Sequence, residues 1–275
     1  MIMKAGTRQL VLIYGLIGLV VGWLVLPALW MLLTSIKPPA LVATNPPTFL
    51  FSPTSANFTA VLGAKEVVGS IRDTVVISIA TTVLSVTIGS FAAYSIARFS
   101  TGGTPVFFFL ILVQAIPSVV LGLPFFVMFR QLGLYDTIPG LVLAYTTVSL
   151  PFAIWLLVAF FDDIPRELEE AALVDGCSRW GALFRVVMPL ARPGLAVAGI
   201  LTFMSAWNQF FFALVLAGQN VRTLPQVASN YISTYTLDWG KVAAAGVLLL
   251  IPPVIVVLVM QRHIVRGLTF GAVKG

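Results

Sequence analysis

Charged side chains are scarce: Asp, Glu, Lys and Arg make up only 9% of the 275 residues, against about a quarter of an ordinary soluble domain. With 59% apolar residues, the chain is poorly suited to water. Thiols and imidazoles are scarcer still. Cys177 is the only cysteine, which excludes an intrachain disulfide, and with His263 the only histidine a Cys/His metal site is not expected. The net charge of +6 does not point to nucleic acid. No dense Lys/Arg run is interleaved with aromatics, and the basic residues lie between apolar blocks, where membrane topology explains them.

What is present is a succession of uncharged apolar blocks, near 10–34, 74–97, 105–129, 139–161, 193–216 and 242–260. Each is close to the ~20 residues a helix needs to cross a hydrocarbon layer of ~30 Å. The blocks do not alternate polar and apolar residues, which argues against a closed barrel. The expectation is an all-α polytopic membrane protein, a single transmembrane domain over 1–275 with six transmembrane helices. The first block exceeds the h-region of a secretory signal and runs into Thr34-Ser35-Ile36-Lys37-Pro38 without a small-residue cleavage site, so it is read as a retained span. Pro117, Pro124, Pro151 and Pro252-Pro253 lie in or beside the spans and are expected to bend or break them.

Basic residues near the block ends set the orientation. With both termini in the cytoplasm, Lys4, Arg8, Arg98, Arg166, Arg179, Arg185, Arg192, Arg262, Arg266 and Lys274 lie inside, and six other basic residues lie outside. The external segments are then 35–73, with Pro38-Pro39, Pro46-Pro47 and a short helix near 56–63, and 217–241, polar and aromatic but hardly charged. The second reads either as a docking surface for a carrier of substrate or as a plain connector.

The cytoplasmic connection 162–190 holds six of the ten acids: Asp162, Asp163, Glu167, Glu169, Glu170 and Asp175. Pro165 near a first turn, acids behind it and Gly176 at the end predict a short helix over 166–175, and Ser178 can cap a second helix to about Val187 before Pro189 turns the chain. A helix of ~10 residues is marginal alone and needs something to pack on. That surface is either the chain itself or a partner, met by the flat Ala171-Ala172 face with Leu168, Trp180 and Phe184 as anchors.

Glu170-Ala171-Ala172, three residues, Gly176, nine residues, then Val186-Val187-Met188-Pro189 resembles the EAA loop of binding-protein-dependent ABC importer permeases, with mild apolar exchanges at the Ile and Leu positions. Leu132-Gly133-Leu134-Tyr135-Asp136-Thr137, Leu150-Pro151-Phe152, Ala206-Trp207-Asn208-Gln209-Phe210 and the tail from Arg266 to Gly275 look like the carbohydrate branch, the maltose-type permeases, and the tail like the second subunit of the pair. Gln209 and Phe270 depart from that pattern.

The resemblance implies a coupling helix gripped by an ATPase subunit, with Glu167, Glu170, Ala171, Ala172, Asp175, Gly176, Phe184 and Pro189 as coupling residues. It also implies that the tail, through Gly267, Leu268, Thr269 and Lys274, reaches the ATPases. The implied partners are a second homologous permease, two cytoplasmic ATPases that bind ATP and Mg, an external binding protein or lipoprotein, lipid, and a sugar. The chain has no G-x-x-x-x-G-K-[ST] loop and is expected to bind no cofactor and to hydrolyse no ATP. Trp207, Asn208 and Gln209 read either as interhelical hydrogen bonding or as lining of a translocation pathway, with Trp207 a stacking ring. An ion-coupled transporter is disfavoured because the blocks carry no mid-depth carboxylate, and an intramembrane enzyme because no nucleophile and base are paired. An importer of another solute, such as glycerol phosphate, amino acids or peptides, remains the alternative.

Overall fold

The computed structural model describes residues 7–232 and 238–270, with side chains over 9–232 and 238–259. Its regular elements are helices: α1 (Thr7–Ser35), α2 (Pro39–Val42), α3 (Ala56–Gly63), α4 (Lys65–Phe99), α5 (Gly103–Ala115), α6 (Ser118–Gln131), α7 (Ile138–Asp162), α8 (Arg166–Val174), α9 (Arg179–Ala182), a π-turn (Leu183–Val187), α10 (Met188–Leu190), α11 (Arg192–Trp207), α12 (Phe211–Leu216), α13 (Leu224–Ser229) and α14 (Trp239–Phe270). Among the described residues four helices, within α1, α4, α7 and α14, are long and apolar enough to cross a membrane. The number rises to six when each of two bent helix pairs counts as one span.

Some of the expected boundaries move. The second span begins at Lys65 rather than 74, because Val67, Ser70, Asp73, Thr74 and Ile77 recur at helical spacing and are buried. In sequence, the polar residues among them give this continuation the look of a loop. The third block is not one rod: α5 and α6 meet at 91°. Ile116 and Pro117 both adopt extended ψ, 118° and 131°, as the residue before a proline is driven to do. The other prolines behave differently. Pro27, Pro124, Pro151 and the pair Pro252-Pro253 all sit inside continuous helices. A lost backbone donor alone does not end a helix there; two successive extended residues do.

The chain forms two compact units. One comprises 1–65 and 228–250. In it, the apolar side chains of α1 from Leu10 to Trp30 are mostly exposed, the pattern of a helix bathed by hydrocarbon. Buried Asn57 on α3 donates from Nδ2 to the carbonyls of Ser35 (3.0 Å) and Lys37 (2.8 Å), tying α3 to the end of α1. The buried Lys37 ammonium lies 5.4 Å from the ring centroids of both Trp30 and Phe51, so aromatic faces take the place of water around the cation.

The second unit comprises 66–227 and 251–275. Its core has two clusters. Ala93, Tyr94, Leu157, Phe161, Leu183, Val187 and Ala198 form one, near the end of α4 that faces α8. Ile77, Phe129, Leu141, Tyr145, Phe212 and Leu216 form the other. Within lipid the hydrophobic effect does not favour helix association, so close van der Waals approach must do so. Gly194 on α11 meets that need, since a Cβ there would collide with the Phe160 ring on α7.

Candidate functional site

The connection between α7 and α11 is a helix-turn-helix built as its sequence signals require. Pro165 stands before α8, and Glu167 and Glu169 lie in its first turn, where the positive end of the helix dipole favours acids. Gly176 ends α8 with φ +87°, a left-handed conformation that other residues reach only with strain. Ser178 caps the next helix, its Oγ accepting from the Gly181 amide at 3.1 Å. Pro189, expected to turn the chain, does not. The π-turn absorbs it: the Met188 amide reaches back five residues to the Leu183 carbonyl, the helix runs through Pro189 to Leu190, and the 72° bend falls at Ala191.

α8 has two distinct faces. Glu167, Glu170, Ala171 and Val174 recur at i, i+3, i+4 and i+7 and all four are exposed. Asp175 and Gly176 extend this exposed edge, and Leu168, Trp180 and Phe184 are also exposed, by 45%, 66% and 54%. Trp180 and Phe184 stack on each other and both meet Phe91 edge-on. Ala171 and Ala172 are thus separated: Ala171 faces out, whereas Ala172 is buried in its own chain.

The opposite face of α8 is anchored by Glu169, which is not among the coupling residues that the resemblance implies. Its carboxylate accepts the Tyr94 hydroxyl at Oε1 and the Arg98 Nε–H at Oε2, the latter at 2.9 Å. Arg98 also donates to the Ile164 carbonyl (3.0 Å), and Arg166 donates to the Ala97 carbonyl (2.9 Å). Side chains of Arg98 and Glu169 are only 4% and 11% exposed. Removing one partner of such a pair leaves an uncompensated buried charge, a change of about 3–5 kcal/mol. The available signal was periodicity: Glu169 is about 100° around the helix from Glu170, and Tyr94 and Arg98 share a face four residues apart.

A second polar centre lies on the connection between α6 and α7. Asp136, with φ +58°, accepts at Oδ1 from the amides of Gly218 (2.7 Å) and Val221 (3.0 Å), and at Oδ2 from the amides of Gln219 and Asn220 and from the Asn220 side chain, each at 3.0 Å. Burial alone would raise its pKa, but four backbone N–H donors outweigh it and hold the carboxyl below the usual range. The segment after it is fastened to α4, where the Leu224 amide donates to Thr74 Oγ1 at 2.8 Å and Arg222 pairs with Glu66.

The Trp207-Asn208-Gln209 trio falls at a helix break rather than mid-helix. α11 ends at Trp207, and Asn208 to Phe210 separate it from α12. Asn208 is exposed and its Nδ2 donates to the Met204 carbonyl at 2.9 Å. The freed Gln209 carbonyl accepts from buried Tyr145 at 3.2 Å. Trp207 is fully buried and stacks on Phe203, so its ring presents no open face in this conformation. Gly267, Leu268 and Thr269 continue α14; Lys274 lies outside the described residues. Among the described residues no group of three His, Cys, Asp or Glu gathers as metal ligands would.

Long apolar helices joined by an exposed acidic helix-turn-helix are the architecture of a polytopic membrane protein. A family model described as "Binding-protein-dependent transport system inner membrane component" matches residues 85–270, and the chain belongs to that family. It is 40% identical over 264 residues to the trehalose transport system permease protein SugB of Mycobacterium tuberculosis, covering 94% of this chain and 95% of that one. It is 38% identical over 252 residues to the sulfoquinovosyl glycerol transport system permease protein SmoH of Agrobacterium fabrum, covering 90% and 88%. The trehalose/maltose transport system permease protein MalG of Thermococcus litoralis is 32% identical over 279 residues, covering 98% of each. In fold it matches a crystal structure of a bacterial ABC transporter that imports the polysaccharide alginate, with TM-score 0.72 at 24% identity over 92% of this chain and 95% of that one.

Proposed function

We propose that this chain is one of two membrane-spanning subunits of an ATP-driven importer in the bacterial inner membrane, and that it translocates a carbohydrate delivered by an external binding protein. Both termini and α8 face the cytoplasm, where Lys and Arg concentrate around the ends of the spans. Two ATPase subunits bind ATP and Mg, and one grips α8. The observation that carries this reading is the exposed stripe Glu167–Glu170–Ala171–Val174 on a helix whose other face is already fastened. Apolar and acidic groups left outward on so short a helix suit a partner's cleft. Glu170 and Asp175 supply polar contacts, Ala171 allows close approach, Gly176 permits the turn, and Phe184 with Trp180 extends the contact. Ala172 and Pro189 shape the helices from within.

Closure of the ATPase pair would shift α8 and the spans attached to it between two states, biased by nucleotide on one side and by loaded binding protein on the other. The tail, through Gly267, Leu268, Thr269 and Lys274, is placed by the same reading against the ATPases. Asn208, exposed at a helix break, is the strongest candidate of its trio to meet substrate. Sugar is favoured over glycerol phosphate, amino acids or peptides because the full-length relatives are named for trehalose, maltose and a glycosyl glycerol. The test is reconstitution in vesicles with the ATPase, the second permease and the binding protein, using radiolabelled disaccharide. Glu170→Lys should abolish uptake while the protein stays in the membrane; transport at normal rates by that variant would remove the coupling assignment, and uptake of amino acids instead of sugar would remove the substrate.

A further inference from the structure

We infer that α4 is a strut that joins the coupling helix at one end to the segment 221–224 at the other, with Glu169–Arg98–Tyr94 as one joint and Thr74–Leu224 as the other. The inference rests on the proposed role of α8. Among the described residues, every hydrogen bond between α8 and a membrane span runs to α4: Tyr94 and Arg98 to Glu169, and Arg166 to Ala97. Each is made by the last two turns of α4, and the ion pair is buried. A force on α8 therefore either strips a buried carboxylate of its cation, which is strongly unfavourable, or takes α4 with it.

The far joint lies about 30 Å away, 20 residues from Thr74 to Tyr94 at ~1.5 Å each. There Thr74 Oγ1 donates to the Ser70 carbonyl at 2.6 Å and accepts the Leu224 amide at 2.8 Å, buried on both sides. Between the joints α4 has no proline and no break, so it moves as one body. The four residues before this joint, Gly218 to Val221, are the ones locked to Asp136, which makes 217–224 an ordered patch rather than a slack tether. In the orientation proposed above, that patch is on the side from which substrate arrives. α4 thereby connects the two places where nucleotide and loaded binding protein act.

The test uses the complete reconstituted transporter and reads the stimulation of ATPase activity by substrate-loaded binding protein. Glu169→Gln keeps the volume and one acceptor oxygen for Tyr94 and Arg98, and so costs less than outright removal of the carboxyl group; it and Thr74→Val should each leave assembly and the unstimulated rate within about twofold of normal, and lower the stimulation roughly 2- to 30-fold, the range found for residues that carry coupling. Because the joints act in series, the double variant should be no worse than the weaker single one, and Glu169→Asp should retain more stimulation than Glu169→Gln. Unchanged stimulation in either single variant overturns the strut, and so does a double variant whose losses multiply. Loss of assembly in Glu169→Gln would equally overturn it, by making the ion pair a folding element only. Glu170→Lys separates the two proposals. If it abolishes coupling while Glu169→Gln does not, the strut fails alone; if Glu170→Lys is normal, the docking of α8 fails first.

Discussion

Asp136 receives the backbone amide of Gly218 at 2.7 Å across 82 residues of sequence, and three further amides of the same segment follow it. One carboxylate therefore organises a whole turn between α12 and α13. Hydrogen bonds to a charged acceptor contribute about 1.5–3 kcal/mol each when made, and several converging donors are left unpaired if it goes.

Asp136→Ala is expected to destabilise this segment by on the order of 3 kcal/mol and to expose 217–223 to protease, while leaving α8 unaffected. Limited proteolysis with mapped cleavage sites checks this. Asp136→Asn, which keeps one acceptor oxygen and shape but not the charge, should fall between the variant and the parent.

The same carboxylate predicts a pH dependence with a definite sign. Its pKa is lowered in the folded chain, so its contribution is present above the ordinary carboxylate value, about 4, and is lost as pH falls through the lowered one. Hydrogen exchange at the amides of 218–221 should be equally slow at pH 7 and 5 after correction for intrinsic rates, and should accelerate below about pH 4. In Asp136→Ala the corrected protection should show no such step; a step that persists would assign the transition to another group.

Gly176 tests the turn independently of charge. A Cβ there meets nothing within this chain, so the effect of substitution on its own fold is backbone strain from φ +87°. Gly176→Val is expected to cost about 1–2 kcal/mol locally and to lower transport sharply, whereas Gly176→Asn, tolerated in the left-handed region, should retain most of it. Equal activity of the two variants would detach the turn from coupling.

Much of this molecule was legible in the residues. Apolar blocks without charge announced the helices, since only a helix satisfies its own backbone in lipid. The Pro165, Gly176 and Ser178 signals marked the ends of α8 and the start of α9, because caps and turns depend on one or two side chains close in sequence. Less legible were the events set by neighbours. The start of α4 at Lys65 was hidden because buried Ser70, Asp73 and Thr74 look like loop residues until something packs on them. Pro189 looks like a terminator in sequence because its lost donor is local, while the π-turn that accommodates it is a property of the packed helix.

The sequence by itself determined the class of protein, the approximate length and place of its apolar helices, and the acidic helix-turn-helix, all of which follow from composition and from spacing within a dozen residues. Only the tertiary structure decided which carboxylates matter most. Glu169 and Glu170 are adjacent and chemically identical, yet one is sealed against Arg98 and the other faces outward. That difference comes from the direction of α8 against the end of α4, a relation between segments about 70 residues apart that no local pattern encodes.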